Sequence, residues 1–218
     1  MCMNTELLQE YRTFLKITPE QMIPWLENRL RMFGFNVETI GRDMLSAALD
    51  SGNPGDKTVF QIDAYPQLME DGTVAHTRGN DAACVMLLYA LRKTAQMGLQ
   101  SGQVRVLICG SEVCSPNAGA NRIEISLAKA SEAKLGEAIV CGSAMAANTT
   151  ILDDCLKAAK SVMGSVSVKT DSEADACRIL IGANPVPDIG LPGMKFHMLA
   201  LENGADVLTE LIRLRHSS

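Results

Sequence analysis

The chain has 218 residues, 47% of them hydrophobic and 21% charged, so it can bury a sizeable core, and we expect residues 1–218 to form a single domain. Its formal net charge is -5 and its Lys and Arg residues are scattered, which argues against a nucleic-acid partner. A polar N-terminus, the lack of an apolar run of about 18 residues, and cysteines set in apolar runs predict a cytoplasmic protein with no signal peptide and no membrane span.

Hydrophobic periodicity divides the first part of the chain into two helices and three strands. Apolar residues at helical spacing predict the helices, and alternation of apolar and polar residues predicts the strands. The predicted helices cover 7–15 and 19–33, and the predicted strands cover 35–40, 44–49 and 58–62. A turn rich in Gly and Pro, 51–56, precedes the third strand.

Strands alternate with helices in the remainder of the chain. We predict helices over 82–94, 123–133, 151–162 and 204–215, and strands over 103–109, 137–141, 165–168 and 179–181. This alternation is typical of an α/β three-layer sandwich, in which helices cover both faces of a mostly parallel central sheet. Ligand-binding groups in such folds collect at the carboxyl ends of the strands. The rule selects Gln61, Asp63, Ser111, Glu112, 141–143 and the loop around His197.

Six short segments occur in an order that resembles one known family. They are 33–38 (FGFNVE), 59–66 (VFQIDAYP), 71–74 (DGTV), 78–81 (RGND), 111–115 (SEVCS) and 196–197 (FH). In this order and spacing they are similar to the zinc-dependent exopeptidases and deacylases, which include acetylornithine deacetylase, succinyl-diaminopimelate desuccinylase, carboxypeptidase G and peptidase T. The resemblance spans nearly the whole chain and implies a zinc exopeptidase-like catalytic domain with two metal ions.

The family motif G-H-x-D-x-V-P aligns with the end of the strand predicted over 58–62. The resemblance implies that the motif's His binds a metal and that its Asp, two residues on, hydrogen-bonds and orients that His. Asp63 keeps the Asp position, whereas Gln61 stands in the His position, and a neutral amide is a poor zinc ligand beside imidazole. Without the histidine, Asp63 also has a purely structural interpretation, as a residue that caps a turn.

The resemblance assigns further residues to the metal ions and to the general base. The bridging aspartate is Asp81 when counted from the Arg-Gly pair, or Asn80 when counted back from the following helix. In the family's E-E-V-G-S motif, Glu112 takes a ligand position and Ser111 the base position, where a hydroxyl without a basic partner cannot deprotonate zinc-bound water. His197 falls where the last metal-binding histidine is expected, although a lone loop histidine also has a structural interpretation.

Two features of the family are missing from the sequence. The family's G-E-P turn, which carries another ligand, aligns with 141–143 (Cys-Gly-Ser), so its carboxylate is absent. The lid domain that the family inserts after this turn is also absent, because only 144–150 separate the turn from the next predicted helix.

The remaining cysteines and histidines have less specific interpretations. Cys109, Cys114 and Cys141 are expected at one edge of the sheet, either as packing thiols or as a soft-metal cluster. His76 lies in a polar loop and His216 in the C-terminal tail, and we expect both on the surface.

These losses favour a degenerate member of the family, a pseudoenzyme that acts as a binding or assembly module. We expect a peptide or N-acyl amino acid ligand, at most one zinc or other divalent cation, and a homo-oligomer. The alternative is an active aminopeptidase, dipeptidase or N-acyl amino acid deacylase with a single metal site. Its ligands would be Asp81, Glu112 and His197, and its base Asp63 or Glu173. The sequence has no phosphate-binding glycine motif and no nucleophile elbow, which argues against nucleotide-binding and serine-hydrolase functions.

Overall fold

A computed structural model describes residues 5–64, 67–68, 74–75, 78–110, 122–128, 131–143, 149–170, 176–183 and 198–217. These ranges contain the helices α1 (Thr5–Phe14), α2 (Pro19–Met32), α3 (Arg78–Met97), α4 (Thr149–Val162) and α5 (Met198–His216). The helices predicted in these five places are confirmed, although α5 begins before its predicted start. None of the described helices is long and apolar enough to cross a lipid bilayer.

An eight-stranded sheet forms the centre of the described structure. Its strands are β1 (Asn36–Ile40), β2 (Met44–Asp50), β3 (Lys57–Asp63), β6 (Gln103–Cys109), β7 (Arg122–Ala128), β8 (Glu137–Gly142), β9 (Ser165–Thr170) and β10 (Cys177–Gly182), while β4 (Gln67–Leu68) and β5 (Val74–Ala75) form a separate pair. The order across the sheet is β1-β2-β6-β3-β7-β10-β8-β9. The four central strands, β6, β3, β7 and β10, run parallel to one another. The predicted α/β fold with a mostly parallel central sheet is confirmed.

The main core lies on one face of this sheet, where alternate strand residues are apolar. Val106, Phe60 and Ile123 are register partners on β6, β3 and β7, and each is at most 1% exposed. All five described helices contribute side chains to the continuous apolar cluster that contains these residues. Since apolar burial stabilises a fold by roughly 25 cal/mol per Å², this cluster holds the helices against the sheet.

Side chains on the opposite face of the sheet are more polar. Glu124 of β7 and Arg178 of β10 are register partners there, and Arg178 Nε donates to Glu124 Oε2 at 2.9 Å. Further along the sheet, Arg105 donates to Ser46 Oγ at 3.0 and 3.1 Å. We call this side the polar face.

Residues 122–128 form strand β7, so the helix predicted over 123–133 is wrong. Ile123 and Ile125 are buried, while Arg122 and Glu124 are only half-buried, which is the period-two pattern of a strand. The alanines that follow favour a helix by propensity alone. Pairing with β3 on one side and β10 on the other overrides that preference, because it satisfies the backbone of β7 from both sides.

Strand β8 runs antiparallel to β10, and this direction corrects the expected grouping of cysteines. We call the edge at which the four central strands end the carboxyl edge, and the edge at which they begin the amino edge. Cys109 pairs with Asp63 at the carboxyl edge, whereas Cys141 pairs with Arg178 near the amino edge. The expected convergence of Cys109 with Cys141 is therefore wrong, and Cys114 lies outside the described residues.

Candidate functional site

Gln61 and Asp63 lie on the same face of β3, at the carboxyl edge, because side chains alternate along a strand. The end of β3 is held against β6 by a hydrogen bond that Ala64 N donates to the Cys109 carbonyl oxygen at 2.7 Å. Gln61 is half-buried and Asp63 is exposed. The strand therefore presents the Asp63 carboxylate to solvent and the Gln61 amide in a half-buried position two residues before it.

The first turn of α3 brings a second carboxylate to this region. Asp81 is only 4% exposed, and the partial positive charge of a helix N-terminus favours a carboxylate at this position. Cys84 lies three residues further on and is also buried. Burial raises the pKa of the Cys84 thiol, and the charges of Asp81 and Asp63 raise it further. Both carboxylates thus act electrostatically on one thiol, which stays neutral.

A cavity of about 230 Å³ opens over the polar face beside β3. Its polar lining comes from three neighbouring strands: Gln61, Asp63, Glu124, Ser126 and Arg178. Gln61 Oε1 is buried and accepts no hydrogen bond from another described residue. A buried acceptor without a partner costs about 1–3 kcal/mol, so this oxygen is suited to accept a hydrogen bond from a molecule in the cavity. Drug-sized pockets are typically larger, about 300–1,000 Å³, so the cavity suits a ligand no larger than a small peptide.

The cavity carries charges of both signs. Glu124 pairs with Arg178 at 2.9 Å and with Arg122 at 3.3 Å, so two cations share one carboxylate. The Arg178 side chain is 58% exposed, and its pair with Glu124 uses Nε, one of the donor atoms of the guanidinium. Asp63 of β3 adds a further negative charge to the lining. A ligand with an anionic and a cationic end can therefore find a partner for each.

The structure describes only part of the predicted metal site. Asp63 and Asp81 lie in the described structure, at the same edge of the sheet. Residues Ser111, Glu112, Glu173 and His197, and the side chain of Asn80, lie outside the described residues. Within the described ranges, no three His, Cys, Asp or Glu side chains are grouped closely enough to hold a metal ion. The buried Asp81 carboxylate is the kind of donor that a zinc or other divalent site requires.

Residues 141–143 do not lie near Asp63 and Asp81. Because β8 runs antiparallel to β10, Gly142 and Ser143 follow it at the amino edge, on the far side of the sheet. A carboxylate ligand there could not reach the carboxyl edge, so the alignment of 141–143 with the family's G-E-P turn is wrong.

The C-terminal helix contains a polar network around His216, a residue that we expected on the surface. His216 is buried, with 2% of its surface exposed, so the prediction of a surface residue is wrong. Its Nδ1 lies 2.9 Å from the Ser101 carbonyl oxygen and its Nε2 lies 2.9 Å from Thr58 Oγ1. Arg215 Nε donates to the same hydroxyl at 2.8 Å. The sequence spacing could have indicated that His216 is buried, because it follows the buried Ile212 by four residues and so lies on the same helix face.

No protein-family model and no curated protein sequence matches this chain. Solved structures do match it. The YxeP protein of Bacillus subtilis, a dinuclear metal-binding peptidase of the M20 family, has a TM-score of 0.69 and 10% identity over 98% of each chain. Aminopeptidase PepT from Bacillus cereus has a TM-score of 0.66 and 10% identity over 96% of this chain and 98% of its own.

A third solved structure has a different catalytic activity. The glutaminyl cyclase of Porphyromonas gingivalis has a TM-score of 0.61 and 11% identity over 96% of each chain. At these identities the similarity shows the fold alone, which this chain shares with YxeP and PepT. Since two peptidases and a cyclase share it, the fold does not determine the reaction.

Proposed function

We propose that this chain is a degenerate zinc exopeptidase-like protein that binds a peptide or an N-acyl amino acid and is impaired in hydrolysing it. The shared fold of YxeP and PepT supports the link to peptidases. The observation that carries the proposal is Gln61, which lies in the cavity wall on the same face as Asp63. The family motif has a metal-binding histidine at this position. A neutral amide binds zinc much more weakly, so one of the two metal positions loses its main ligand.

Proton transfer gives a second argument for impairment. Hydrolysis requires a group that takes a proton from water near neutral pH, and the resemblance assigns that role to position 111. Ser111 is a hydroxyl and not a carboxylate, so it cannot act as this base without a basic partner. Although 141–143 do not supply the G-E-P turn, we also propose that the family's lid domain is absent near 144–150, and this absence would remove further ligand contacts.

We further propose that the chain holds at most one divalent cation, bound by Asp81, Glu112 and His197. Two carboxylates and an imidazole are a donor set typical of zinc, which lowers the pKa of a bound water to about 7. The burial of Asp81 at the start of α3 supports its role as the ligand in preference to Asn80. A site without a lid and without a second cation is open to solvent, and we expect weak binding.

Hydrolysis assays test the impairment directly. With N-acyl amino acids and with di- and tripeptides, we expect wild-type turnover no faster than that of His197→Ala. Restoring a base and a ligand together, with Ser111→Glu and Gln61→His, should raise zinc-dependent turnover, by roughly 100-fold or more if general-base catalysis is recovered. Metal-dependent turnover by the wild-type protein would refute the proposal.

Metal content tests the single-site prediction. Protein purified without added zinc and then titrated with zinc should bind at most one ion per chain by mass spectrometry of the metal. His197→Ala should abolish this binding, whereas His76→Ala, the matched control, should leave it unchanged. Two tightly bound ions, or one that survives His197→Ala, would show that the ligands are assigned wrongly.

An active hydrolase with one metal ion is the second candidate. The observation that favours it is that Asp63 at the end of β3 and Asp81 in the first turn of α3 both act electrostatically on Cys84, which puts a candidate base and a candidate ligand in the same region. In that case Asp63→Asn would remove the turnover seen in the wild type. The impaired protein cannot give this result, because it has no turnover to lose.

We also propose that the chain forms a homo-oligomer. Light scattering across a range of protein concentrations would test this proposal.

A further inference from the structure

Two cysteines lie together where α4 packs against the start of β10. Cys155 is in the middle of α4 and Cys177 is the first residue of β10. Both are free thiols and both are fully buried. This location is at the amino edge, away from the candidate site.

The Cys177 sulfur lies beside the face of α4 that carries Cys155, and a hydrogen bond between the two thiols shifts the pKa of both. Gly142 on β8 explains how this sulfur reaches the helix. A Cβ atom at Gly142 would lie 3.3 Å from Cys177 Sγ and 2.9 Å from Leu152 Cδ1. Leu152 precedes Cys155 by three residues and so shares its helix face. The missing side chain at Gly142 leaves the space into which the Cys177 sulfur points.

A buried cation makes the two thiols unequal. Arg215 has a side chain 5% exposed, held by Asp154 Oδ2 at 2.7 Å and Asp56 Oδ2 at 3.1 Å. The hydrogen bond from Cys155 lowers the pKa of Cys177, and the charge of Arg215 lowers it too, against the effect of burial. The same hydrogen bond raises the pKa of Cys155. Since the thiolate is the reactive form, Cys177 is the better nucleophile and Cys155 the resolving thiol.

We propose that Cys155 and Cys177 form a reversible disulfide between α4 and β10 when the protein meets a peroxide. This inference does not depend on the proposed function. The Cys177 thiolate attacks one oxygen of hydrogen peroxide, the O–O bond breaks, and hydroxide leaves and is protonated to water. The Cys155 sulfur then loses its proton, attacks the resulting sulfenic acid and displaces a second water. The two thiols lose two electrons in total, and the peroxide gains them.

The disulfide should stabilise the fold. It closes a loop between residues 155 and 177, which restricts the unfolded chain more than the folded one. Because both thiols are buried, peroxide reaches them only when the native structure opens locally, so oxidation should be slower than that of an exposed thiol.

Peptide mapping tests the proposal on the wild-type protein. Native protein is treated with hydrogen peroxide, the remaining thiols are alkylated, and the chain is cleaved before aspartate. Asp154 and Asp175 place the two cysteines on separate peptides that exclude Cys141. We expect a cross-linked pair of these peptides that dithiothreitol separates, and a Tm higher by roughly 5–10 °C after oxidation.

Cysteine variants supply the controls. Cys141→Ser is the matched control, because Cys141 is a register partner of Arg178 and therefore faces the opposite side of the sheet from Cys177. This variant should keep both the cross-link and the Tm rise, whereas Cys155→Ala and Cys177→Ala should lose both. A wild-type map with no 155–177 link after prolonged oxidation, or with Cys177 joined to another cysteine, would overturn the proposal. That map needs no variant, so a variant that fails to fold leaves the test intact.

Discussion

At the scale of single residues, the Thr58 hydroxyl determines which form of His216 the fold accepts. Thr58 Oγ1 accepts a hydrogen bond from Arg215 Nε, so its own proton is available to His216 Nε2, while His216 Nδ1–H donates to the Ser101 carbonyl. A protonated ring would lose the acceptor for Thr58. Burial lowers the pKa of His216 and the charge of Arg215 adds to this, whereas the Ser101 carbonyl and the Asp56 carboxylate act in the opposite sense. The fold therefore favours the neutral ring.

The neutral state of His216 predicts how stability depends on pH. The unfolded ring titrates near 6.5, while the folded ring titrates lower, so between these values the unfolded chain binds more protons. The free energy of unfolding should thus be highest above about 6.5 and fall as the pH drops through the folded pKa, with a slope of at most about 1.4 kcal/mol per pH unit from this group. Urea unfolding at several pH values should show a shallower dependence for His216→Gln, while the His76→Gln control should retain the wild-type slope. Equal slopes in the wild type and His216→Gln would contradict the argument.

At the scale of helices and strands, most elements were predictable because their periodicity is local. Strand β6 was predicted with its observed bounds, since alternate residues of 103–109 pack into the core. The direction of β8 was not predictable, because no local pattern distinguishes a strand from its reverse. Direction follows from which strands pair, and β8 pairs antiparallel with β10. The alignment of 141–143 with the family's G-E-P turn was wrong because the sequence does not reveal the direction of β8.

The candidate site was also predictable only in part. The motif around Asp63 and the start of α3 identified two carboxylates that the structure brings to one edge. Glu124 and Arg178 line the cavity, and both were missed. Glu124 was missed because β7 was assigned as a helix, and Arg178 because the strand predicted over 179–181 begins one residue after it. Charges that alternate with buried isoleucines in β7 were the available signal.

Packing between α3 and α5 shows how an element far from the cavity supports it. A glycine inside a helix costs about 1 kcal/mol relative to alanine, yet Gly204 lies within α5. A Cβ atom at Gly204 would collide with the sulfur of Met86 on α3, which is fully buried. The glycine therefore allows the two helices to pack closely. Since α3 carries Asp81 in its first turn, this contact helps to hold the carboxylate at the edge of the sheet.

At the scale of the whole molecule, one apolar cluster connects all the described helices to strands across the sheet, from Val37 on β1 to Ile181 on β10. The smaller cluster around Ile139 lies on the polar face, and its neighbours include Cys141 and Leu180 of the same sheet. All the described helices therefore pack into this one core, and none of them packs into a separate one. Unfolding one part then exposes the apolar surface of the others, which is the physical basis of cooperative unfolding.

Equilibrium unfolding tests the prediction that residues 1–218 form a single domain. Trp25 is the one tryptophan of the chain and lies on α2, where its ring meets Phe14 edge-on at 5.5 Å and Arg29 lies 5.0 Å from its centre. Its fluorescence therefore reports on the N-terminal helices, while far-UV circular dichroism reports on all helices together. Because α2 shares its core with α3 and α5, we expect the two signals to give one urea midpoint and one m-value. A fluorescence transition at lower urea than the dichroism transition would mean that the N-terminal helices unfold on their own, and the single-domain prediction would then be wrong.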